Sequence, residues 1–283
     1  MSERVNCESI LIGNFGDPVW ENPTEFMMTA VFKHHNMKYR YISTEVKAAN
    51  LKAAFDGVKA MNYKGFNCTL PHKQAVIPLL DGLGESAKLM GAVNCVVERD
   101  GKYIGENTDG KGYLESIQEI TDLKNKTIVI LGAGGAARAI AVELALSGVS
   151  EIIIVNRTEK SGRELVDLIN EKTSSHATFH SLQGEYKVPG GVDIVINATN
   201  IGLFPDNTKV PIDMKSLNTN MIVSDVIPNP PQTQFLKDAA AEGCKTIDGL
   251  GMLVNQGRIA IKFWSGLDVD ASVMRKILED LFV

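Results

Sequence analysis

The sequence predicts an α/β protein of two domains. Three observations predict it. Apolar, β-favouring segments alternate with helical patterns over nearly all of the 283 residues, the pattern of parallel sheets covered by helices. One unbroken apolar run, Thr127-Ile128-Val129-Ile130-Leu131, feeds into Gly132-Ala133-Gly134-Gly135-Ala136-Ala137 and an Ala-rich helix. A second buried strand follows that helix and ends in Asn156-Arg157-Thr158.

Taken in order, Ser9-Ile10-Leu11-Ile12-Gly13 reads as a strand that stops at its glycine. Asn14, Gly16, Asp17, Pro18, Asn22 and Pro23 make a turn-rich loop. A helix begins at Thr24, a candidate N-cap, with Phe26, Met27, Ala30, Val31 and Phe32 on its apolar face. Residues 39–43 form a strand and 47–60 a helix, with Leu51, Ala54, Phe55 and Val58 on one side. Gly65 to Lys73 is a short strand broken by Pro71, and a helix runs from Lys73 to Leu80. Residues 91–97 and 102–105 pair as a hairpin across Arg99-Asp100-Gly101, because Asp-Gly favours a tight turn. A polar segment, 106–110, leads into a helix over about 111–120.

The second half continues the alternation. Strand 127–131 is followed by helix 135–147, closed by Gly148. Strand 151–155 and an amphipathic helix, 159–171, come next; the polar stretch 172–190 receives no element. Strands 192–199 and 221–226, the turn Pro228-Asn229-Pro230-Pro231, helix 232–242, strand 245–247 and two helices complete the chain. The seam falls near 111–125. Residues 1–112, with 255–283 returning to them, are expected to form a substrate domain. Residues 113–254 form a Rossmann-type domain, with the active site in the cleft between the two.

The glycines fit G-x-G-x-x-A through Gly132, Gly134 and Ala137. Gly132 permits the tight turn, Gly134 lets backbone N–H groups approach a pyrophosphate, and Ala137 lets helix and strand pack closely. An anion there also meets the positive end of the helix dipole. An NAD site usually ends its second strand in Asp or Glu, which bonds the ribose hydroxyls. Arg157 cannot accept from a 2′-hydroxyl but can clamp a 2′-phosphate. The cofactor expected is NADP, with NAD as a secondary possibility.

Composition narrows the rest. Hydrophobic content of 44% and charged content of 22% are those of an ordinary globular enzyme. A net charge of −5 gives no basic footprint for nucleic acid, and no apolar run is long enough for a membrane span. Residues 1–6 have no signal-peptide character. Cys7, Cys68, Cys95 and Cys244 lack metal-ligand spacing, so inert thiols in a reducing cytoplasm are expected and no metal. The partner expected is a small molecule, and the assembly a monomer or homodimer.

Lys73 and Asp109 are the polar pair best suited to chemistry. An ammonium beside a carboxylate can relay the hydroxyl proton while a hydride goes to a nicotinamide. The competing reading is a surface ion pair, and spacing does not choose between the two. Asn67, Thr69, Asn94 and Gln256 are uncharged donors and acceptors at strand ends, suited to a hydroxylated substrate or to turns and caps. His72, beside Pro71, reads as structural. His34, His35, His176 and His180 fall in polar helical or loop stretches without metal-like spacing.

These segments together resemble the shikimate/quinate dehydrogenase family. The resemblance rests on 65–73, Gly91-Ala92-Val93-Asn94, Asn107-Thr108-Asp109-Gly110, 132–136, 156–158, Asn197-Ala198-Thr199 and 248–256, in the family's order. It implies that Lys73 and Asp109 are the catalytic pair and that Asn94, Thr69 and Gln256 hold substrate hydroxyls. It also implies NADP on Gly132, Ala133, Gly134, Gly135 and Ala136, with the 2′-phosphate near Asn156, Arg157 and Thr158. Thr199, Val226 and Gly249 complete the candidate cofactor set. The reaction implied is NADP-linked interconversion of 3-dehydroshikimate and shikimate.

Four departures stand out. The family's carboxylate clamp, Ser-x-Ser before the first helix, is here Asn22-Pro23-Thr24. A pocket Tyr appears as Pro228, and Asn-Ala-Thr-Ser-x-Gly-Met as Asn197-Ala198-Thr199-Asn200-Ile201-Gly202-Leu203. A second basic residue of the 2′-phosphate site is replaced by Ser161, beside Lys160. Two alternatives therefore stand beside the first. One is a paralogue acting on quinate, an amino-shikimate or another polyhydroxylated carboxylate. The other is a non-catalytic NADP-binding regulator.

Overall fold

The computed structural model describes residues 8–20, 22–206 and 208–282. The readings of residues 1–6 and of Cys7 lie outside them. The chain divides into two compact units, Met1–Thr108 with Gly257–Leu278, and Asp109–Gln256 with Glu279–Val283.

The first unit contains β1 (Ile10–Gly16), α1 (Thr24–His34), β2 (Tyr39–Glu45), α2 (Leu51–Ala60) and β3 (Gly65–Cys68). It continues with α3 (His72–Ala75), β4 (Gly82–Leu83), α4 (Glu85–Met90), β5 (Cys95–Arg99) and β6 (Lys102–Glu106). Its sheet has the order β2-β1-β3-β5-β6-β4. β2, β1 and β3 run parallel, while β5 is antiparallel to both β3 and β6. On one face, Phe15, Phe66 and Cys68 pack with Leu51, Phe55 and Val58 of α2. Trp264 donates its indole N–H to the Val96 carbonyl at 2.9 Å.

Several local expectations are corrected here. β1 does not stop at Gly13: that residue lies between Ile42 and Phe66 of the flanking strands. A Cβ there would sit 2.4 Å from the Ile42 carbonyl oxygen, so this glycine serves close packing within a strand. Thr24 is not the cap of α1 but its first residue; the Asn22 side-chain oxygen accepts the Thr24 N–H at 3.0 Å. The helix expected over 73–80 is one α turn, His72–Ala75, then a 3₁₀ turn, Ile77–Leu79, with Pro78 preventing continuation. β4 and α4 were not anticipated; two strand residues and six helical ones carry little periodicity.

The second unit contains α5 (Asp109–Gln118), β7 (Thr127–Leu131), α6 (Gly135–Leu146), β8 (Glu151–Asn156), α7 (Glu159–Lys172), β9 (His176–Ser181) and β10 (Ile194–Asn197). β11 (Ile222–Asp225), α8 (Gln234–Ala241), β12 (Lys245–Ile247) and α9 (Leu250–Ser265) follow; α9 runs on into the first unit, where most of α10 (Ala271–Leu281) lies. Its sheet is wholly parallel in the order β12-β11-β10-β7-β8-β9. Counted from β7 this is 6-5-4-1-2-3, the doubly wound dinucleotide-binding order. β9 occupies the polar stretch that received no element, and with it His176 and His180 are strand residues. It is an edge strand, and its apolar content is Ala177 and Phe179, too little for a run.

Small residues let the helices of this unit approach. A Cβ on Gly110 would lie 2.3 Å from the Ala139 carbonyl oxygen of α6, and one on Gly112 2.5 Å from the Gln256 nitrogen of α9. Backbone meets backbone along α5, directly after Asp109.

Candidate active site

In the second unit the carboxyl ends of β7, β8 and β10 surround a cavity of about 250 Å³. Its walls include Gly132, Ala133, Gly134, Asn156, Arg157 and Thr199. This is the switch point between β7 and β10, where open parallel sheets bind ligands. Gly132 has φ +107°, and a Cβ there would lie 2.9 Å from the Ala198 carbonyl oxygen. Beyond it Gly134 and Gly135 face open space, with nothing within 4 Å of an added Cβ. No side chain caps α6, so its first N–H groups point where a pyrophosphate would bind.

The Asn156-Arg157-Thr158 turn is held from within. Asn156 donates to the Thr158 carbonyl at 2.9 Å and to Ser161 Oγ at 3.0 Å. Arg157 is exposed and supplies the cation among the cavity's lining residues. An open backbone cradle and a guanidinium beside it fit a dinucleotide with a 2′-phosphate. Ala136 lies in the first turn of α6. A Cβ on Gly249 would sit 2.4 Å from the Ile227 carbonyl oxygen and 2.6 Å from the Val226 carbonyl carbon, so these two candidates meet at the end of β11.

Thr199 is supported by a network that the sequence reading missed. Its hydroxyl donates to Asn197 Oδ1 at 2.7 Å and accepts from the Ile201 N–H at 3.1 Å. Asn197 in turn donates to Asp225 Oδ1 at 3.0 Å, and Thr233 donates to Asp225 Oδ2 at 2.8 Å. The Ile227 N–H adds a third donor at 3.1 Å. Asp225 is buried; desolvation pushes its carboxyl above the ordinary value, against the pull of these donors. The signal available in the sequence was a carboxylate closing a short strand that opens with Ile222 and Val223.

In the first unit a second set of residues gathers where β3 ends. The Cys68 N–H donates to the Asn94 carbonyl at 2.8 Å, and the Thr69 N–H to the Phe15 carbonyl at 2.9 Å. The Val93 N–H donates to the Lys73 carbonyl at 2.8 Å. Asn94 then clasps Thr108: its Nδ2 donates to Thr108 Oγ1 at 3.0 Å and its Oδ1 accepts the Thr108 N–H at 2.6 Å. Asp109 is the next residue along the chain. Burial pushes the Cys68 thiol up to about 12, opposed by the Lys73 charge.

His72 is fully buried, and its Nε2 lies 2.6 Å from the Val46 carbonyl oxygen, which ties α3 to the segment after β2. Asn22 and Thr24 stand together at the start of α1. Gln256 is buried on α9 and donates to the Leu253 carbonyl at 3.0 Å. Met252 packs against the second unit's core. Among the described residues no helix is long and apolar enough to cross a membrane.

Comparison with known proteins agrees with the resemblance. Residues 15–96 match the shikimate dehydrogenase substrate binding domain, 115–225 the shikimate/quinate 5-dehydrogenase family, and 249–279 the shikimate 5′-dehydrogenase C-terminal domain. The shikimate dehydrogenase (NADP(+)) of Methanocaldococcus jannaschii is 42% identical over 98% of each chain. A solved shikimate dehydrogenase in complex with NADP+ is 39% identical, with TM-score 0.90 over 99% of this chain and 98% of that one. The ligand-free 5-ketofructose reductase of a Gluconobacter species is 53% identical, with TM-score 0.95 over 97% and 99%. With full-length identity at this level and both domains matched, this chain belongs to the shikimate dehydrogenase family.

Proposed function

We propose that this chain is an NADP-linked dehydrogenase interconverting a hydroxyl and a ketone on a polyhydroxylated substrate, with shikimate, for which its curated relatives are named, and 3-dehydroshikimate as the pair. One observation carries the proposal: the run of hydrogen bonds from the Lys73 backbone through Val93 and Asn94 to Thr108, the residue before Asp109. It ties the backbone of Lys73 to the residue that precedes Asp109 in the chain, which supports pairing the two. NADP, when bound on the glycine turn with its 2′-phosphate at Arg157, supplies the hydride acceptor or donor. Lys73 donates a proton to the carbonyl oxygen on reduction and takes it back on oxidation, and Asp109 holds the ammonium in place and receives the proton onward. Thr69, Asn94 and Gln256 orient substrate hydroxyls, and Asn22 and Thr24 bind the far end of the substrate. The buried thiols of Cys68, Cys95 and Cys244, none of them in a disulfide, suit a reducing cytoplasm, and the assembly is a monomer or homodimer.

Lys73→Ala tests the assignment: kcat falls by about 10²–10⁴ while NADP affinity stays unchanged. Unaltered turnover would remove Lys73 from the chemistry. A second reading, reduction of 5-ketofructose, is favoured by the 53% identity to a 5-ketofructose reductase and by Asn22-Pro23-Thr24 at the expected carboxylate clamp. Initial rates with shikimate, quinate and 5-ketofructose, each with both nicotinamide cofactors, separate the two.

A further inference from the structure

We propose that Asn14 and Ser43 form a hydroxyl-binding subsite in the first unit, built for the uncharged polyol end of a substrate and against a carboxylate. The inference rests on the dehydrogenase reading above and chooses between its two substrates.

Asn14 of β1 lies in register with Ser43 of β2 on one side and Asn67 of β3 on the other. In-register neighbours on parallel strands project to the same face, so the three form a polar row across the sheet. That face is opposite the one carrying Phe15, Phe66 and Cys68. The row sits two residues before the end of β1, near the carboxyl edge where parallel strands receive ligands.

Asn67 is satisfied: its Oδ1 accepts from the Tyr41 hydroxyl at 2.8 Å and its Nδ2 donates to the Asn94 carbonyl at 3.0 Å. Asn14 is not. It is 1% exposed, and neither its Nδ2 nor its Oδ1 has a partner. The neighbouring Ser43 Oγ is buried and unpartnered as well. Three adjacent polar atoms without partners are far from the native norm and call for a group that supplies them. A buried amide offers one acceptor and a donor pair, the complement of a hydroxyl, which both donates and accepts.

Charge selects the class of ligand. Glu25 Oε2 accepts the Ser43 N–H at 2.9 Å, and Glu25 lines with Ser43, Asn22 and the cation Lys33 a cavity of about 660 Å³. Glu25, in the first turn of α1, is the charged group bonded to the row itself, while Lys33 stands in the helix's last turn; a carboxylate brought to Asn14 meets the like charge first, whereas a neutral hydroxyl meets another acceptor. Lys47, a second cation, near the ends of these strands, is engaged by Asp17 at 2.7 Å and Glu45 at 2.9 Å.

The test compares wild type with Asn14→Leu and Ser43→Ala, using 5-ketofructose and shikimate as probes. Initial rates with NADPH and 5-ketofructose are expected to show KM raised about tenfold or more in Asn14→Leu and about threefold in Ser43→Ala, with the KM for NADPH unchanged. Calorimetric titration of both probes into the NADP-loaded proteins reads the subsite independently of turnover. Binding of 5-ketofructose to wild type with turnover of neither 5-ketofructose nor shikimate, and with affinity lost in Asn14→Leu, would keep the subsite and refute the dehydrogenase reading. Equal KM and affinity in wild type and Asn14→Leu would overturn the subsite, leaving buried water as the partner of Asn14. Tighter wild-type binding of shikimate than of 5-ketofructose would overturn the charge argument. Should Asn14→Leu fail to fold, Asn14→Thr with Ser43→Ala carries the same comparison.

Discussion

Removing one hydroxyl from the network beneath the nucleotide turn should loosen both α8 and the Thr199 loop. Thr233→Val keeps shape and burial but deletes the donor 2.8 Å from Asp225 Oδ2. It also deletes the acceptor of the Leu236 N–H, a long cap bond at 3.3 Å. A hydrogen bond to a charged group contributes about 1.5–3 kcal/mol and a helix cap about 1 kcal/mol. Length weakens the second, so the combined loss is about 3 kcal/mol. At about 2–4 °C per kcal/mol for a domain of this size, the unfolding midpoint should drop by about 6–12 °C. Thermal unfolding followed by circular dichroism reads it. Asp225→Asn alone and the double variant complete a cycle; because the two side chains share one contact, their effects should fall short of additivity. A midpoint shift under about 1 °C, or strict additivity, would refute the claim that Thr233 acts through Asp225.

Three further outcomes follow from the same geometry. Arg157→Ala should weaken NADP binding about 10–100-fold and leave NAD within about threefold, measured by nicotinamide fluorescence; equal losses would refute the 2′-phosphate role. Gly110→Ala should cost about 1–3 kcal/mol in urea unfolding, because its Cβ collides with the Ala139 carbonyl. For Asp225 the sign runs opposite to a salt-bridged carboxylate. Its folded pKa is raised from 3.8, so between that value and the raised one the folded state holds more protons than the unfolded chain. Stability of wild type relative to Asp225→Asn should therefore fall as pH rises through that window, read from urea midpoints at a series of pH values. A rising difference would contradict burial as the dominant cause.

Much of this molecule was legible in its residues because its cofactor unit is built from extremes. A strand buried on both faces reads as an apolar run, and Ile128, Ile130, Ile152, Ile154, Ile194 and Ile196 are all fully buried. The glycine turn was equally plain, since its backbone leaves few choices of residue. What escaped lies where one context serves two purposes. β9 is a strand on account of its pairing with β8, a long-range fact absent from its own composition. Gly13 reads as a stop signal, yet its neighbour on β2 requires the missing side chain. Asp225 and Asn14 were passed over, one read simply as strand and the other as loop, because burial of a polar side chain is invisible until its partners, or their lack, can be seen.

The polar groups left open in the two units are of opposite kinds, and this divides the ligands between them. At the start of α6 they are backbone N–H groups with Arg157 nearby, all donors, with nothing to repel a phosphate. Around Asn14 they are an amide and a hydroxyl beside Glu25, donors and acceptors mixed, with a negative charge at hand. An all-donor site binds anions and discriminates poorly among them, so a 2′-phosphate and a pyrophosphate both suit it. A mixed site discriminates by pairing: a ligand lacking one hydroxyl leaves a buried group unsatisfied, and one carrying a negative charge meets repulsion from Glu25. On this reasoning selectivity among substrates resides in a few uncharged atoms of the first sheet, while the second unit is free to keep the family's nucleotide turn. Exchange of residues at 14, 22, 24 and 25 should then redirect substrate preference and leave the cofactor constants where they were, and a change in cofactor affinity on the same scale would break the division.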